Sequence, residues 1–179
     1  MMNILEARDK RVALIEKLLK DNVTVISLRC NYPGRDKNNS YTQKVISVIN
    51  DVIVNKFSII STKYISSSEG PVYIYTLGER PDKVKLHALE IENNHFLGRL
   101  VDIDVYYQSL KSLSRNDFSE KSRQCFLCDD YAHNCIVTKR HSQYELSMYF
   151  HQLVDRFEKL PIEIIEYTNQ AMLYELFIE

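Results

Sequence analysis

The sequence lacks the features that would assign it to a membrane or to a nucleic acid. It contains no run of about 18 uncharged apolar residues, the minimum for a membrane-spanning helix, and no apolar signal-peptide segment follows its N-terminus. It also has no excess of one charge, because 23 Lys and Arg face 24 Asp and Glu for a net charge of -1. We therefore expect a cytoplasmic protein without general affinity for membranes or nucleic acids.

Neither an internal repeat nor a low-complexity linker divides the 179 residues, and 45% of them are hydrophobic. This length and composition allow one sizeable core and predict a single domain over residues 1–179. Within it we distinguish an N-terminal helix, a mixed core, a cysteine-rich segment and a helical tail. Their bounds are 1–22, 23–106, 107–141 and 142–179, in that order.

The spacing of apolar residues predicts the order strand, helix, strand, strand, helix, strand over residues 23–106. The first of these helices is predicted over residues 40–56 despite its many β-branched residues, because its apolar positions recur every three or four residues. The order is that of an α+β, ferredoxin-like (split βαβ) fold with an antiparallel sheet and both helices on one face. Palm-type nucleotidyl-transferring domains share this layout, although a fold alone does not assign chemistry.

Further elements are predicted on either side of that core. Asn3 followed by Glu6 marks the start of an N-terminal helix, and residues 108–118 are interpreted as a polar excursion with a short hairpin. The tail is helical after Ser142, with a new helix starting at Pro161. Its apolar stripe packs into a core or forms the seam of a homodimer. The last members of the stripe are Ile164, Ile165, Met172, Leu173, Leu176 and Phe177.

The most informative stretch is Gly-Arg-Leu-Val-Asp-Ile-Asp-Val at residues 98–105, which we interpret as a strand. On an extended backbone Asp102 and Asp104 project from one face, and two carboxylates can share a Mg²⁺ ion whose other ligands are water and substrate phosphate. Gly98 would let a triphosphate approach the backbone, and Arg99 would offer it a planar fork of donors. The pattern predicts a nucleotide-transfer site. The alternative is a strand with one solvated face.

A basic turn follows the first predicted strand. Asn31-Tyr32-Pro33-Gly34 has the composition of a turn and leads into Arg35 and Lys37. A basic loop with a glycine at the end of a strand can cradle a phosphate, and the alternative is a solvated turn.

Three of the four cysteines lie within eleven positions of one another: Cys125, Cys128 and Cys135. Together with His141 they have the spacing of a tetrahedral Cys₃His site, for which zinc is the expected metal. His133 is a rival ligand, in a zinc-knuckle pattern whose fourth position holds Thr138. The alternatives without a metal are reduced thiols packed in a small turn and a redox dithiol.

These separated motifs together resemble one family, the citrate lyase holo-acyl-carrier-protein synthases, also called apo-citrate lyase phosphoribosyl-dephospho-CoA transferases. The Gly-Arg-Leu-x-Asp-Ile-Asp-Val and cysteine blocks are the most specific parts of the resemblance. Val101 departs from the pattern, because the family usually has an aromatic residue there. The blocks are Leu5–Arg11, Asn31-x-Pro33-Gly34-x-x-Lys37, His95–Val105, and Arg123-x-Cys125-x-x-Cys128 through Cys135 to His141.

The resemblance implies a nucleotidyltransferase that attaches 2'-(5''-triphosphoribosyl)-3'-dephospho-CoA to a serine of the apo acyl carrier (gamma) subunit of citrate lyase and releases pyrophosphate. It implies that Asp102 and Asp104 hold Mg²⁺ at the triphosphate. One of these aspartates or His95 would take the proton of the serine. The residues that would contact the substrate and neutralise its phosphates are Arg8, Asn31, Gly34, Lys37, Gly98 and Arg99.

A second hypothesis, from another class, is a zinc-stabilised protein- or RNA-interaction module in which the two acids are only solvated. Metal-dependent release of pyrophosphate separates it from the transferase. Because carrier domains are generally acidic, the transferase hypothesis also predicts a basic rim near the acid strand that speeds encounter. The rim residues would be Arg80, Lys83, Lys85, Lys111, Arg115 and Lys121.

Overall fold

The structure is a computed structural model that describes residues 3–166. Its strands are β1 (Thr24–Cys30), β2 (Ile59–Ser67), β3 (Gly70–Leu77) and β4 (Val101–Tyr106). Its helices include α1 (Ile4–Leu19), α2 (Ser40–Lys56), α3 (Pro81–Asn94), α4 (Ala132–Thr138) and α5 (Gln143–Glu158). The four strands form one sheet in the order β2-β3-β1-β4, and every neighbouring pair is antiparallel. The α+β class and the predicted element order are confirmed.

Side-chain caps fix where the helices begin. At α1 the Asn3 side chain accepts a hydrogen bond from the Glu6 N–H at 2.9 Å, and the Glu6 carboxylate accepts one from the Asn3 N–H at 3.1 Å. Equivalent capping boxes start α2 at Asn39 and α5 at Ser142. α2 has the predicted bounds, because its apolar stripe is buried and outweighs the low helix propensity of β-branched residues.

The two faces of the sheet are covered by different helices. α2, α3 and α5 pack on one face around fully buried side chains such as Ile26, Ile103 and Phe150. On the other face, Ile15 of α1 packs against a smaller cluster that includes Val25. None of the described helices is long and apolar enough to cross a membrane.

Two local predictions need correction. Residues 98–100, predicted as part of the acid strand, form a single 3-10 turn, and β4 begins only at Val101. The chain turns at these residues because, after α3 ends, it passes close to the last carbonyl groups of that helix. Residues 108–118 contain no hairpin: they form a loop with a 3-10 turn at Arg115–Phe118. The Leu113 N–H donates to the Val105 carbonyl at 2.8 Å and ties this loop to the outer edge of β4.

The helical tail is confirmed as far as it is described. Phe150, Val154 and Phe157 of α5 are buried in the main core, so this part of the apolar stripe is core and not a dimer seam. Residues 162–166 are again helical after Pro161. The four remaining stripe residues lie outside the described part of the chain: Met172, Leu173, Leu176 and Phe177.

Candidate active site

Asp102 and Asp104 share the face of β4 that is turned away from the main core. Val101, Ile103 and Val105 alternate with them and are buried, as the twofold period of a strand requires. The side chains of the two aspartates are 30% and 26% exposed, respectively. The predicted common face is therefore present, and both carboxylates are open to a cavity.

Two arginines hold these carboxylates. Arg29 of β1 is the register partner of Asp102, and its Nη2 lies 2.8 Å from Asp104 Oδ2 and 3.6 Å from Asp102 Oδ2. Arg123, from the cysteine-rich segment, donates to Asp102 Oδ1 and also to Glu92. Burial disfavours the charge of Arg29, but Asp104 and Asp102 outweigh it and raise the pKa of its guanidinium. The acid pair is therefore a charged network and not a solvated strand face.

Two buried charged residues of α3 flank the outer edge of β4. Glu92 accepts a hydrogen bond from the Ile103 N–H at 2.8 Å, and the Lys85 ammonium donates to the Ile103 carbonyl at 3.4 Å. The second oxygen of Glu92 accepts from Arg115 Nη2 at 3.0 Å. These contacts satisfy the backbone of an edge strand at the residue between the two aspartates, which fixes their positions.

A cavity of about 300 Å³ lies over this network. Seven of its eleven lining residues are charged, so it suits a small, highly charged ligand. The charged lining residues are Arg29, Lys85, Glu92, Asp102, Asp104, Arg115 and Arg123.

A larger cavity of about 630 Å³ lies beside it, between the turn after β1 and the cysteine-rich segment. It contains three of the predicted substrate contacts, Asn31, Lys37 and Arg99, and Arg123 lines both cavities. Arg99 lies over the Phe126 ring, 5.7 Å from its centroid, and burial, followed by Arg123 and Arg115, lowers its pKa. Burial likewise lowers the pKa of Lys37, whose Nζ donates to the Tyr32 carbonyl at 2.7 Å.

The four predicted metal ligands form one cluster in the wall of the larger cavity. The ligand atoms of Cys125, Cys128, Cys135 and His141 all lie within 4.8 Å of one another, and ligands of a tetrahedral zinc lie about 3.8 Å apart. Among the described residues, His133 does not belong to this group. The hydrogen bond with His141, 3.3 Å long, lowers the pKa of the Cys128 thiol to about 6 and favours the thiolate that binds metals. The cluster could hold a metal ion.

Local backbone structure brings these ligands together. A tight hairpin carries the first two cysteines, because the Cys125 N–H donates to the Asp130 carbonyl at 2.8 Å and the Ala132 N–H to the Arg123 carbonyl at 2.9 Å. The third cysteine lies on α4, and the chain reverses after α4 at Lys139, whose φ is 48°. The same hairpin that carries Cys125 therefore also positions Arg123 against the aspartates.

The sequence matches the family model CitX, apo-citrate lyase phosphoribosyl-dephospho-CoA transferase, over residues 1–157. The chain belongs to this family. Protein CitXG of Leuconostoc mesenteroides subsp. cremoris is 28% identical over 191 residues, which cover 98% of this chain and 41% of that protein. The apo-citrate lyase phosphoribosyl-dephospho-CoA transferases of Escherichia coli and Shigella flexneri are each 30% identical over 149 residues, covering 80% of this chain and 81% of theirs. The predicted family, a family of transferases, is confirmed.

The structure does not bring every predicted site residue of this CitX family member to the two cavities. His95 is buried at the end of α3, with its Nδ1 accepting from the Leu97 N–H at 3.1 Å, and it lines neither cavity. Gly98 is also buried, and a Cβ at this position would lie only 2.1 Å from the Ile91 carbonyl oxygen. Gly34 lies in the turn after β1 and lines neither cavity. The half-exposed Arg8 lies 3.7 Å from Glu69, a partner of Arg29.

Sequence reasoning did not name Arg29 and Glu92 as residues of the site. It placed Lys85 and Arg115 only on the basic rim and Arg123 only in the cysteine block. The sequence did carry a signal for Arg29, since it shares a face with Ser27 in a strand whose other residues after Thr24 are apolar. Lys85 and Glu92 are seven positions apart on α3, two helical turns, so they lie on one side of the helix. The predicted basic rim is wrong at Lys85, which is only 4% exposed, because α3 turns this residue toward β4.

Proposed function

We propose that this chain transfers the triphosphoribosyl-dephospho-CoA group to a serine of the apo acyl carrier (gamma) subunit of citrate lyase and releases pyrophosphate. The observation that carries the proposal is the pair Asp102 and Asp104, held between the guanidinium groups of Arg29 and Arg123 in a charged cavity. Membership in the CitX family supports the same substrate and acceptor.

In the proposed reaction the serine Oγ attacks the α-phosphorus of the triphosphate. A new bond forms between Oγ and this phosphorus, the bond from the α-phosphorus to the bridging oxygen breaks, and pyrophosphate leaves with the electron pair. The proton of the serine passes to a carboxylate oxygen of Asp102 or Asp104. We favour an aspartate over His95, because His95 is buried and lines neither cavity. Such a transfer needs alignment and charge neutralisation more than covalent catalysis.

The donor set of the smaller cavity fits Mg²⁺. Asp102 and Asp104 offer partly exposed carboxylate oxygens on one face of a rigid strand, and Mg²⁺ needs one or two carboxylates with the rest of its shell from water and phosphate. When bound there, Mg²⁺ would neutralise phosphate charge and polarise the reacting phosphorus. Arg29 and Arg123 form ion pairs with these carboxylates and place positive charge beside the same phosphates.

The larger cavity would receive the rest of the donor substrate. Asn31, Lys37 and Arg99 line it together with the apolar rings of Tyr32 and Phe126, a combination that suits a nucleotide with its phosphates. Arg8 and the backbone turn at Gly34 remain part of the proposed substrate-binding set, although neither residue lines the cavity. Gly98 is instead assigned to packing, because it is buried against the last carbonyl groups of α3.

At the level of architecture we propose a ferredoxin-like, palm-type core, since the antiparallel order β2-β3-β1-β4 with α2 and α3 on one face is what that fold requires. We further propose that residues 1–179 form one cytoplasmic transferase domain and that zinc occupies the Cys₃His cluster. A homodimer remains part of the proposal.

The test is to incubate the protein with purified apo carrier, the triphosphate precursor and Mg²⁺, and to measure the carrier mass and pyrophosphate. We expect the carrier to gain the mass of the phosphoribosyl-dephospho-CoA group in step with pyrophosphate release. Equal pyrophosphate release with and without carrier would make water the acceptor and end the carrier assignment. No release at all would favour the zinc-stabilised interaction module, for which the Cys₃His cluster is the supporting observation.

A further inference from the structure

Lys85 is a buried cation without a counterion within 4 Å among the described residues. It is 4% exposed, and its ammonium makes one hydrogen bond, 3.4 Å long, to the Ile103 carbonyl. Burying an ammonium group without an ion pair is costly, and desolvation accordingly lowers the pKa of Lys85. An anionic ligand bound beside the ammonium group would offset this cost.

We propose that the smaller cavity is a subsite for a pyrophosphate group and that the Lys85 ammonium binds it. The proposal rests on the proposed function, in which this group is the leaving part of the triphosphate. It extends that function by assigning the two cavities to different parts of the donor substrate. Lys85 lies outside the sequence motifs on which the family resemblance depends.

The charge balance of the smaller cavity favours an anion. Glu92 is fully engaged, because its oxygens accept from the Ile103 N–H, Arg123 and Arg115. Arg29 and Arg123 already neutralise the two aspartates. Lys85, which forms no ion pair within 4 Å among the described residues, therefore supplies positive charge that is not neutralised, and Mg²⁺ on the aspartates would add more. A pyrophosphate group, with several negative charges and many acceptor oxygens, balances both.

The linings of the two cavities differ in the way expected if each cavity binds a different part of the donor substrate. The smaller one has less than half the volume of the larger one, about 300 against 630 Å³, and most of its lining is charged. The larger one has apolar surface at Tyr32, Phe126 and Leu146 for a nucleoside or pantetheine part. Arg123 lines both cavities, so the bond between the α- and β-phosphates would break beside its guanidinium.

The test measures binding of inorganic pyrophosphate to the purified protein by titration calorimetry in Mg²⁺, without carrier or precursor. We expect Lys85→Met to weaken binding at least tenfold and to melt no lower than the wild type, since it removes a buried, unpaired charge. The matched control is Lys83→Met, an exposed lysine on the same helix, which should bind within twofold of the wild type. Binding by Lys85→Met that equals the wild type, or no binding by the wild type, overturns the subsite.

A second measurement on the wild type keeps the proposal testable even when Lys85→Met does not fold. Pyrophosphate should slow amide hydrogen exchange in the loop at residues 112–115, which lines the smaller cavity. Slowing confined to residues 123–136, in the wall of the larger cavity, would place the anion elsewhere and contradict the proposal. Failure of the transferase proposal looks different: pyrophosphate binding would depend on Lys85 while the carrier stays unmodified. Competition between free pyrophosphate and the precursor shows whether the β,γ-phosphates of the precursor occupy the same subsite.

Discussion

The two aspartates of β4 have identical side chains but different arginine partners. Asp102 accepts a hydrogen bond from Arg123 and lies 3.6 Å from Arg29, whereas Arg29 is the one ion-pair partner of Asp104 among the described residues. An amide at either position keeps the shape of the side chain and removes the negative charge. Loss of that charge weakens a Mg²⁺ site and leaves a guanidinium with one counterion fewer, since Arg29 still pairs with Glu69 and Arg123 with Glu92.

We expect Asp102→Asn and Asp104→Asn each to lower the rate of carrier modification by at least about tenfold, a loss of about 1.4 kcal/mol of transition-state stabilisation or more. The rate is followed by carrier mass, and circular dichroism verifies the fold. Asp51→Asn, at an exposed position of α2, is the matched control and should react at the wild-type rate. A folded variant that retains more than about a tenth of the rate would remove that aspartate from the metal site.

Gly98 shows how a residue can match a family motif for reasons of packing. A Cβ at this position would lie 2.1 Å from the Ile91 carbonyl oxygen and 2.9 Å from that of Glu92, which are rigid backbone atoms of α3. Gly98→Ala should therefore lower the free energy of unfolding by about 2 kcal/mol or more. Urea denaturation measures it. Gly78→Ala, where the nearest atom is a side-chain carbon at 3.7 Å, should change it by less than about 0.5 kcal/mol; equal effects would contradict the packing explanation.

The elements were easier to predict than the contacts between them. α1 and α2 have apolar spacing and start signals that lie within each segment, so the start of α1 and the bounds of α2 could be read from the sequence. The role of Glu92 could not be predicted from the sequence, because it depends on how α3 is placed against the outer edge of β4. The 3-10 turn before β4 was missed for the same reason, since a contact with α3 determines it.

The cysteine-rich segment links the Cys₃His cluster to the acid site. Its ligands were predictable because their spacing is a local property, whereas the choice of His141 over His133 depends on the chain reversal after α4. The hairpin that holds Cys125 also holds Arg123, whose guanidinium contacts Asp102. Loss of the cluster should therefore disturb the acid site as well as the segment itself.

We expect protein purified without chelator to contain close to one equivalent of zinc, because a structural site with high affinity stays filled. Elemental analysis measures the content. Cys135→Ser should lower it below about a fifth of an equivalent, because it removes one of four ligands. Cys30→Ser, outside the cluster, should leave it unchanged. Less than about a tenth of an equivalent in the wild type would favour packed thiols without metal.

In the described part of the chain, the candidate active site and the main core lie on opposite faces of the sheet. The face covered by α2, α3 and α5 contains the main core, and the face that α1 covers only in part leaves the aspartates and arginines accessible. The sequence predicts this division in outline, since alternation on β4 assigns its acids and its apolar residues to opposite faces. It does not predict that α5, which begins 37 positions after the end of β4, completes the core beneath the site.

This arrangement predicts that the chain unfolds as one unit. Phe157 of α5 is 2% exposed and belongs to the same buried cluster as Ile26 of β1 and Ile103 of β4. Phe157→Ala should lower the free energy of unfolding by about 3 kcal/mol or more, and the far-ultraviolet and near-ultraviolet dichroism transitions should shift together. Tyr144→Ala, at an exposed position of the same helix, is the control and should shift neither. If α5 melts before the sheet, so that the two transitions separate in the wild type, the tail is an independent unit and the single-domain proposal fails.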